Sequence, residues 1–126
     1  MDIPSDSALT RTVIGLAIEV HRQLGPGLLE SAYEECLCFE LRRAAIPYVR
    51  QRRLPIRYKG FDLDYCYQMD IVVDESLILE IKSVETINPV HEAQLLTYLR
   101  LSGISLGLLL NFNSPTLKDG IRRRRI

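Results

Sequence analysis

Two acidic residues and a lysine lie close together in residues 70–82, which read DIVVDESLILEIK. Two apolar runs flank a short polar segment, as in a β-hairpin. If Val73 pairs with Leu77 across a three-residue loop, Asp70 lies opposite Glu80 with facing Cβ atoms about 5 Å apart. Lys82 then shares that face. A slip of one residue would place the two carboxylates on opposite faces, so the loop length decides whether they meet.

Two carboxylates at that distance repel unless a proton or a hard divalent cation lies between them. A cation such as Mg²⁺ polarises a phosphoryl oxygen and lowers the pKa of a bound water. Lys82 could orient that water or offset charge developing on phosphate. These residue types therefore indicate phosphodiester cleavage. The residues alone leave another interpretation open, in which Asp70 pairs with an arginine while Glu80 and Lys82 form an exposed edge.

The composition is that of a globular protein. The chain has 126 residues, 47% hydrophobic and 25% charged, which predicts one domain over residues 1–126. Residues 1–6 are polar and acidic, unlike a signal peptide, and no apolar run could span a bilayer. We therefore expect a cytoplasmic protein without a membrane partner. Three cysteines without a Cys-x-x-Cys pair argue against disulfides and a zinc site.

The basic residues are concentrated in two segments, although the net charge is zero. Residues 41–60 hold seven basic side chains and no acid, and residues 118–125 hold five more. Segregated charge can present a positive face to a polyanion. Nucleic-acid contacts are predicted for Arg50, Arg52, Arg53, Arg57, Lys59, Arg122 and Arg123. A solvated strand and a frayed basic tail remain the alternative.

The surrounding elements predict an α/β fold. Apolar spacings of three and four indicate helices over residues 7–24 and 28–45, separated by Gly25-Pro26-Gly27. Three strands are predicted over residues 54–58, 63–73 and 77–82. Asn88-Pro89 begins a third helix, which runs to about residue 101, and residues 104–111 form a buried strand. The order ααβββαβ predicts a mixed sheet flanked by helices, with a right-handed parallel crossover.

The same residues resemble a known group of enzymes. Asp70 followed by Glu80-Ile81-Lys82 is similar to the D…ExK core of the PD-(D/E)XK nuclease superfamily. Residues 27–33 (GLLESAY) fit the GxxExxY signature that names one small family placed in it. Residues 20–27, 91–99 and 107–112 also resemble that family. The resemblance covers nearly the whole chain. It implies a restriction-endonuclease-like sheet and a nuclease that uses Mg²⁺ or Mn²⁺ to cut DNA or RNA.

The resemblance also implies individual roles. Asp70, Glu80 and the main-chain carbonyl of Ile81 would be metal ligands, and Asp70, Glu80 and Lys82 would be catalytic. Glu30 matches the acid that often joins the site from the first core helix, so it is a candidate metal ligand and catalytic residue. Gln94 matches a glutamine that often points into the site, so it is a candidate catalytic residue. Glu30 could instead be a first-turn glutamate favoured by the helix dipole, and Gln94 part of a polar helix face.

Two functions remain open at this stage. The first is a metal-dependent nuclease. The second is a non-catalytic module that keeps the fold and binds nucleic acid or a partner protein. The complete set of Asp70, Glu80 and Lys82 favours the enzyme, whereas the small size partly favours the module. The predicted partner is nucleic acid, either DNA or RNA, and a homodimer is left open.

Overall fold

A computed structural model describes residues 7–126. Residues 1–6, for which a signal peptide was excluded above, lie outside the described part. Along the chain the elements are α1 (Ala8–Leu24), α2 (Glu30–Arg43), β1 (Tyr48–Tyr58), β2 (Phe61–Val73), β3 (Leu77–Lys82), α3 (Pro89–Ser102), β4 (Leu106–Asn111), a short 3₁₀ helix (Leu117–Gly120) and β5 (Ile121–Arg125).

The strands form one mixed sheet in the order β1-β2-β3-β4-β5. Only β3 and β4 run parallel, because α3 carries the chain back between them. All other neighbouring strands are antiparallel. This confirms the predicted α/β fold with a mixed sheet flanked by helices. The predicted order ααβββαβ is followed as far as β4.

Two strand predictions need correction. β5 was not predicted, because a run of four arginines after Ile121 has no apolar alternation. The segment is a strand because it pairs antiparallel with β4 from Leu106↔Arg125 to Leu110↔Ile121. β1 begins at Tyr48, earlier than predicted, because pairing with β2 extends a polar segment that lacks its own strand signal.

A hydrophobic core lies on each face of the sheet. On one face, α1 and α2 pack against the sheet through side chains such as Val13, Leu37 and Ile81. On the other face, α3 packs through Leu95 and Leu99. β3 and β4 are therefore covered on both faces, which explains their apolar sequences. Within residues 7–126, no helix is long and apolar enough to cross a membrane.

Candidate active site

The hairpin of β2 and β3 has the register predicted from its loop. Val73 pairs with Leu77 and Ile71 pairs with Leu79 across a three-residue turn. In that turn Asp74 and Glu75 adopt positive φ angles of 51° and 53°. The register places positions 70 and 80 opposite each other, as the sequence predicted.

The two strands separate where these acids lie, and we call this opening the fork. β2 and β3 pair only as far as Ile71↔Leu79, whereas β3 pairs with β4 through to Lys82↔Asn111. In the fork, hydrogen bonds from backbone N–H groups to the two carboxylates replace the backbone hydrogen bonds that would otherwise join β2 and β3. The N–H of Asp70 donates to Oε2 of Glu80 at 3.0 Å, and the N–H of Ile81 donates to Oδ2 of Asp70 at 2.8 Å.

The regular alternation of side chains along β2 is interrupted at Asp70, whose carboxylate reaches into the fork. Met69 packs in the α3-side core, whereas Ile71 packs in the opposite core. In a regular strand these residues, two apart, would share a face. On β1 the neighbouring Gln51 has a positive φ of 52°, which marks the same irregularity. Such distortions re-aim side chains near active sites.

Burial makes the acid pair electrostatically unfavourable when both members are ionised. Glu80 is 5% exposed, and burial followed by the charge of Asp70 raises its pKa to about 8. Burial also raises the pKa of Asp70. The charge of Lys82, two residues after Glu80 on β3, lowers the pKa of both acids. Without a cation, the pair therefore holds a proton at neutral pH.

The sequence analysis missed a third acid of the site, Glu34. It is 5% exposed, and its carboxylate accepts hydrogen bonds from Nε of Arg50 at 2.5 Å and from Nε2 of Gln51 at 3.0 Å. The same Gln51 amide lies 3.3 Å from Oδ1 of Asp70. The charge of Glu34 contributes to the raised pKa values of Asp70 and Glu80. Its spacing, three residues before buried Leu37 and seven before buried Leu41, was a signal that Glu34 is buried, although not of what it contacts.

Glu30 lies beyond Lys82, at the end of β3. Its Oε2 accepts a hydrogen bond from the N–H of Ser83 at 2.9 Å, and the Ser83 hydroxyl donates to the carbonyl of Leu28 at 2.7 Å. These bonds tie the start of α2 to the residue that follows Lys82. The predicted role of Glu30 as a metal ligand stays a prediction.

The tyrosine of the GxxExxY pattern, Tyr33, stabilises the loop between α1 and α2. The Tyr33 hydroxyl donates to the carbonyl of Gly25 at 2.5 Å and accepts from the N–H of Leu28 at 3.0 Å. Its ring stacks on Phe112 with centroids 4.6 Å apart. Tyr33 therefore holds the loop between α1 and α2 against the end of β4.

Comparison with protein families agrees with this geometry. A family model of the PD-(D/E)XK nuclease superfamily matches residues 7–124. The chain belongs to this superfamily. No curated protein and no solved structure matched it. Nuclease activity is the general function of a PD-(D/E)XK domain, and members of the superfamily typically use divalent metals.

The carboxylate oxygens of Asp70 and Glu80 in this PD-(D/E)XK fork suit a cation that keeps several water molecules as ligands. Among residues 7–126 no group of three or more His, Cys, Asp and Glu side chains could hold a metal ion. Asp70 and Glu80 nevertheless face each other, and Mg²⁺ in proteins is commonly bound by one or two carboxylates together with water and substrate phosphate. The pair therefore fits a hard divalent cation that completes its coordination with water or substrate oxygens.

Gln94 lines a pocket of about 510 Å³ beside the fork of this PD-(D/E)XK domain. Tyr98, one turn further along α3, lines the same pocket. Tyr98 packs in the same core as Met69 and Ile78, the neighbours of the two acids on their strands. Burial, followed by the charges of Glu80 and Asp70, raises the pKa of Tyr98. The structure therefore brings Gln94 to the edge of the site, and its predicted catalytic role stays a prediction.

Most of the predicted phosphate contacts already have partners. Arg50 pairs with Glu34, Arg52 with Glu75, and Arg57 with Asp62 at 2.7 Å. The Lys59 ammonium lies 5.4 Å from the ring centroid of Tyr58, and the Arg122 guanidinium donates to the carbonyls of Asp119 and Ile121 at 3.2 Å. Arg123 lies in β5 and also has an interaction within the protein.

Arg53 differs from these neighbours. It is exposed, lines the pocket beside the fork, and has no ion-pair partner in the described part of the chain. Nucleic-acid binding by all seven basic residues remains a prediction. The alternative of a frayed C-terminal tail is wrong, because these arginines form β5.

Proposed function

We propose that this chain is a metal-dependent nuclease that hydrolyses phosphodiester bonds in DNA or RNA, with residues 1–126 acting as one domain. The observation that carries the proposal is the facing pair of half-buried Asp70 and buried Glu80 in the fork, with Lys82 two residues further along β3. The fit of residues 27–33 to the GxxExxY signature supports membership of that smaller family.

The proposed cofactor is Mg²⁺ or Mn²⁺. Asp70, Glu80 and the main-chain carbonyl of Ile81 would hold it, and Glu30 is a further candidate ligand from the resemblance. When bound, the cation would polarise a phosphoryl oxygen and lower the pKa of a coordinated water. Glu80 must give up its proton before it can serve as a ligand, so metal binding should release protons below about pH 8.

The residues around the cation-binding pair have distinct roles in this proposal. Lys82 follows Glu80 by two residues on β3, so both side chains face the α3 side with Ile78. Its ammonium would orient the attacking water or offset charge that builds on the phosphate. Gln51 holds Oδ1 of Asp70 from the β1 side, which fixes that carboxylate when the substrate arrives.

We predict that Lys82→Ala abolishes cleavage while metal affinity is largely kept, because lysine is not a ligand and acts mainly in the transition state. Asp70→Ala should lose metal affinity and cleavage together. Calorimetric titration with Mg²⁺ and Mn²⁺, beside a cleavage screen on single- and double-stranded DNA and RNA, measures both quantities. Light scattering on the same samples reports whether the active species is a monomer or a homodimer.

The same titration tests Glu30. If Glu30 is a metal ligand, Glu30→Gln should weaken metal binding; unchanged affinity would restrict Glu30 to its contact with Ser83. The nuclease proposal would be overturned by a protein that binds the metal yet cuts none of these substrates. That outcome would favour the non-catalytic module, which binds nucleic acid or a partner protein through the same fold.

A further inference from the structure

The pocket beside the fork opens where β2 has lost one neighbour. The part of β2 that precedes Ile71 does not pair with β3. The edge of this part of the strand therefore faces α3 across a gap. Gln68 on β2 and Gln94 on α3 line the two sides of this gap. Because Gln68 precedes Asp70 by only two residues, the pocket and the acid pair are contiguous.

The chemistry of the pocket walls suits a nucleobase. Two carboxamides, from Gln68 and Gln94, each offer a donor and an acceptor, as the edges of bases require. Tyr67 and Tyr98 contact each other with ring centroids 5.3 Å apart and supply an aromatic wall. Tyr65 also lines the pocket and is 69% exposed, which leaves most of its ring available for stacking.

The charges along the pocket suit a nucleotide rather than a free base. Arg53 has no ion-pair partner among the described residues, whereas Arg50, Arg52 and Arg57 on the same strand all do. An exposed guanidinium without a carboxylate partner is available for a phosphate. Asp64 also lines the pocket and offers an acceptor for a base amino group.

We propose that this pocket binds one unpaired nucleotide next to the cleaved phosphate, so that the substrate is a single strand or a strand with unpaired nucleotides. The inference rests on the proposed nuclease function and names its substrate class. Tyr65 stacks on the base, Gln68 and Gln94 meet its edge, and Arg53 contacts its phosphate. A base inside a duplex cannot enter, because its edge is paired and its faces are stacked.

The test measures binding by fluorescence anisotropy with EDTA present, so that cleavage does not intervene. The probes are a labelled single-stranded oligonucleotide and the blunt duplex of the same length, in DNA and in RNA. We expect the single strand to bind about tenfold more tightly than the duplex. Tyr65→Ala should weaken single-strand binding about tenfold, as expected for loss of one stacked base.

Phe61→Ala is the matched control, because Phe61 is 68% exposed on the same hairpin and does not line the pocket. It should leave single-strand affinity unchanged. Equal affinity for duplex and single strand, or equal losses in the two variants, would overturn the inference. Because the assay needs no cleavage, an inactive protein that prefers single strands would contradict only the nuclease proposal, whereas a nuclease without this preference would contradict only the pocket.

Discussion

Glu80 links the chemistry of the site to the stability of the fold at the scale of single residues. The side chain lies in a strand whose other residues, apart from Lys82, are apolar, and it is almost fully buried. Its carboxylate accepts a hydrogen bond from Asp70, but burial and the neighbouring acid still favour the protonated form. A group that is neutral in the folded state and ionised in the unfolded state makes stability depend on pH.

We predict that the metal-free protein becomes less stable as the pH rises from about 4.5 to about 8. In this window folded Glu80 keeps its proton while the unfolded chain has lost it, so raising the pH favours unfolding. The loss from one such group is at most about 1.4 kcal/mol per pH unit. Thermal melts in EDTA across this range measure it, and the raised pKa of Asp70 acts in the same direction.

Glu80→Gln should flatten this dependence and raise the melting temperature at pH values near 8. A glutamine can still accept the hydrogen bond from the N–H of Asp70, but it carries no charge. Glu35→Gln is the control, since Glu35 is exposed on α2 and its substitution leaves the fork unchanged. A wild-type melting curve that does not depend on pH would show that Glu80 is not held neutral.

A site residue could be predicted from the sequence when a single hairpin positions it, and not when a tertiary contact does. Asp70 and Glu80 belong to one hairpin, so the length of its loop was enough to place them together. Glu34 reaches the site across a tertiary contact between α2 and β1, through Arg50 and Gln51. The sequence spacing gives no information on that contact, and the resemblance directed attention to Glu30 instead.

At the scale of elements, α3 carries Gln94 and Tyr98, and a close contact with β4 fixes its position. A Cβ added at Gly107 on β4 would lie 2.7 Å from Cδ1 of Leu95 and 3.1 Å from its Cγ. Leu95 is fully buried, so it has little room to move away. The glycine therefore allows α3 to lie close to the sheet.

Gly107→Ala should destabilise the protein by about 1–3 kcal/mol, as overpacking of a filled core does. Gly15→Ala is the matched control, because Gly15 is exposed in α1 and an added Cβ there meets nothing within 4 Å. That change should stabilise by about 0.5–1 kcal/mol through higher helix propensity. Urea unfolding gives both values, and equal stability of the two variants would show that Leu95 can repack without cost.

The elements differ in how far the sequence could predict them. α3 follows from Asn88, whose side chain accepts from the N–H of Val90, and from Gly103 at the helix end with a φ of 78°. β5 has no such local signals. Its four arginines become a strand because β4 offers an open edge and because Arg124 pairs with Glu92 on α3. Only the assembled sheet supplies those partners.

At the scale of the whole molecule, positive charge is less available than the sequence suggests. The net charge is zero, and three arginines of β1 are held in ion pairs. An arginine in an ion pair must lose or share its carboxylate before it can contact a phosphate, which reduces the gain in binding. We therefore expect a modest dependence of nucleic-acid affinity on salt, with Arg53 as one main contributor.

The last prediction compares two charge reversals on β1. Arg53→Glu should weaken binding to an oligonucleotide and reduce the slope of log affinity against log salt by about one, as loss of one phosphate contact does. Arg57→Glu changes the net charge by the same amount, but it removes a guanidinium already paired with Asp62, so its effect should be smaller. Anisotropy titrations between about 50 and 200 mM salt measure both slopes. Equal slopes in the two variants would mean that long-range charge, rather than a contact at Arg53, sets the affinity. A wild-type affinity that does not change with salt would contradict phosphate binding by either segment.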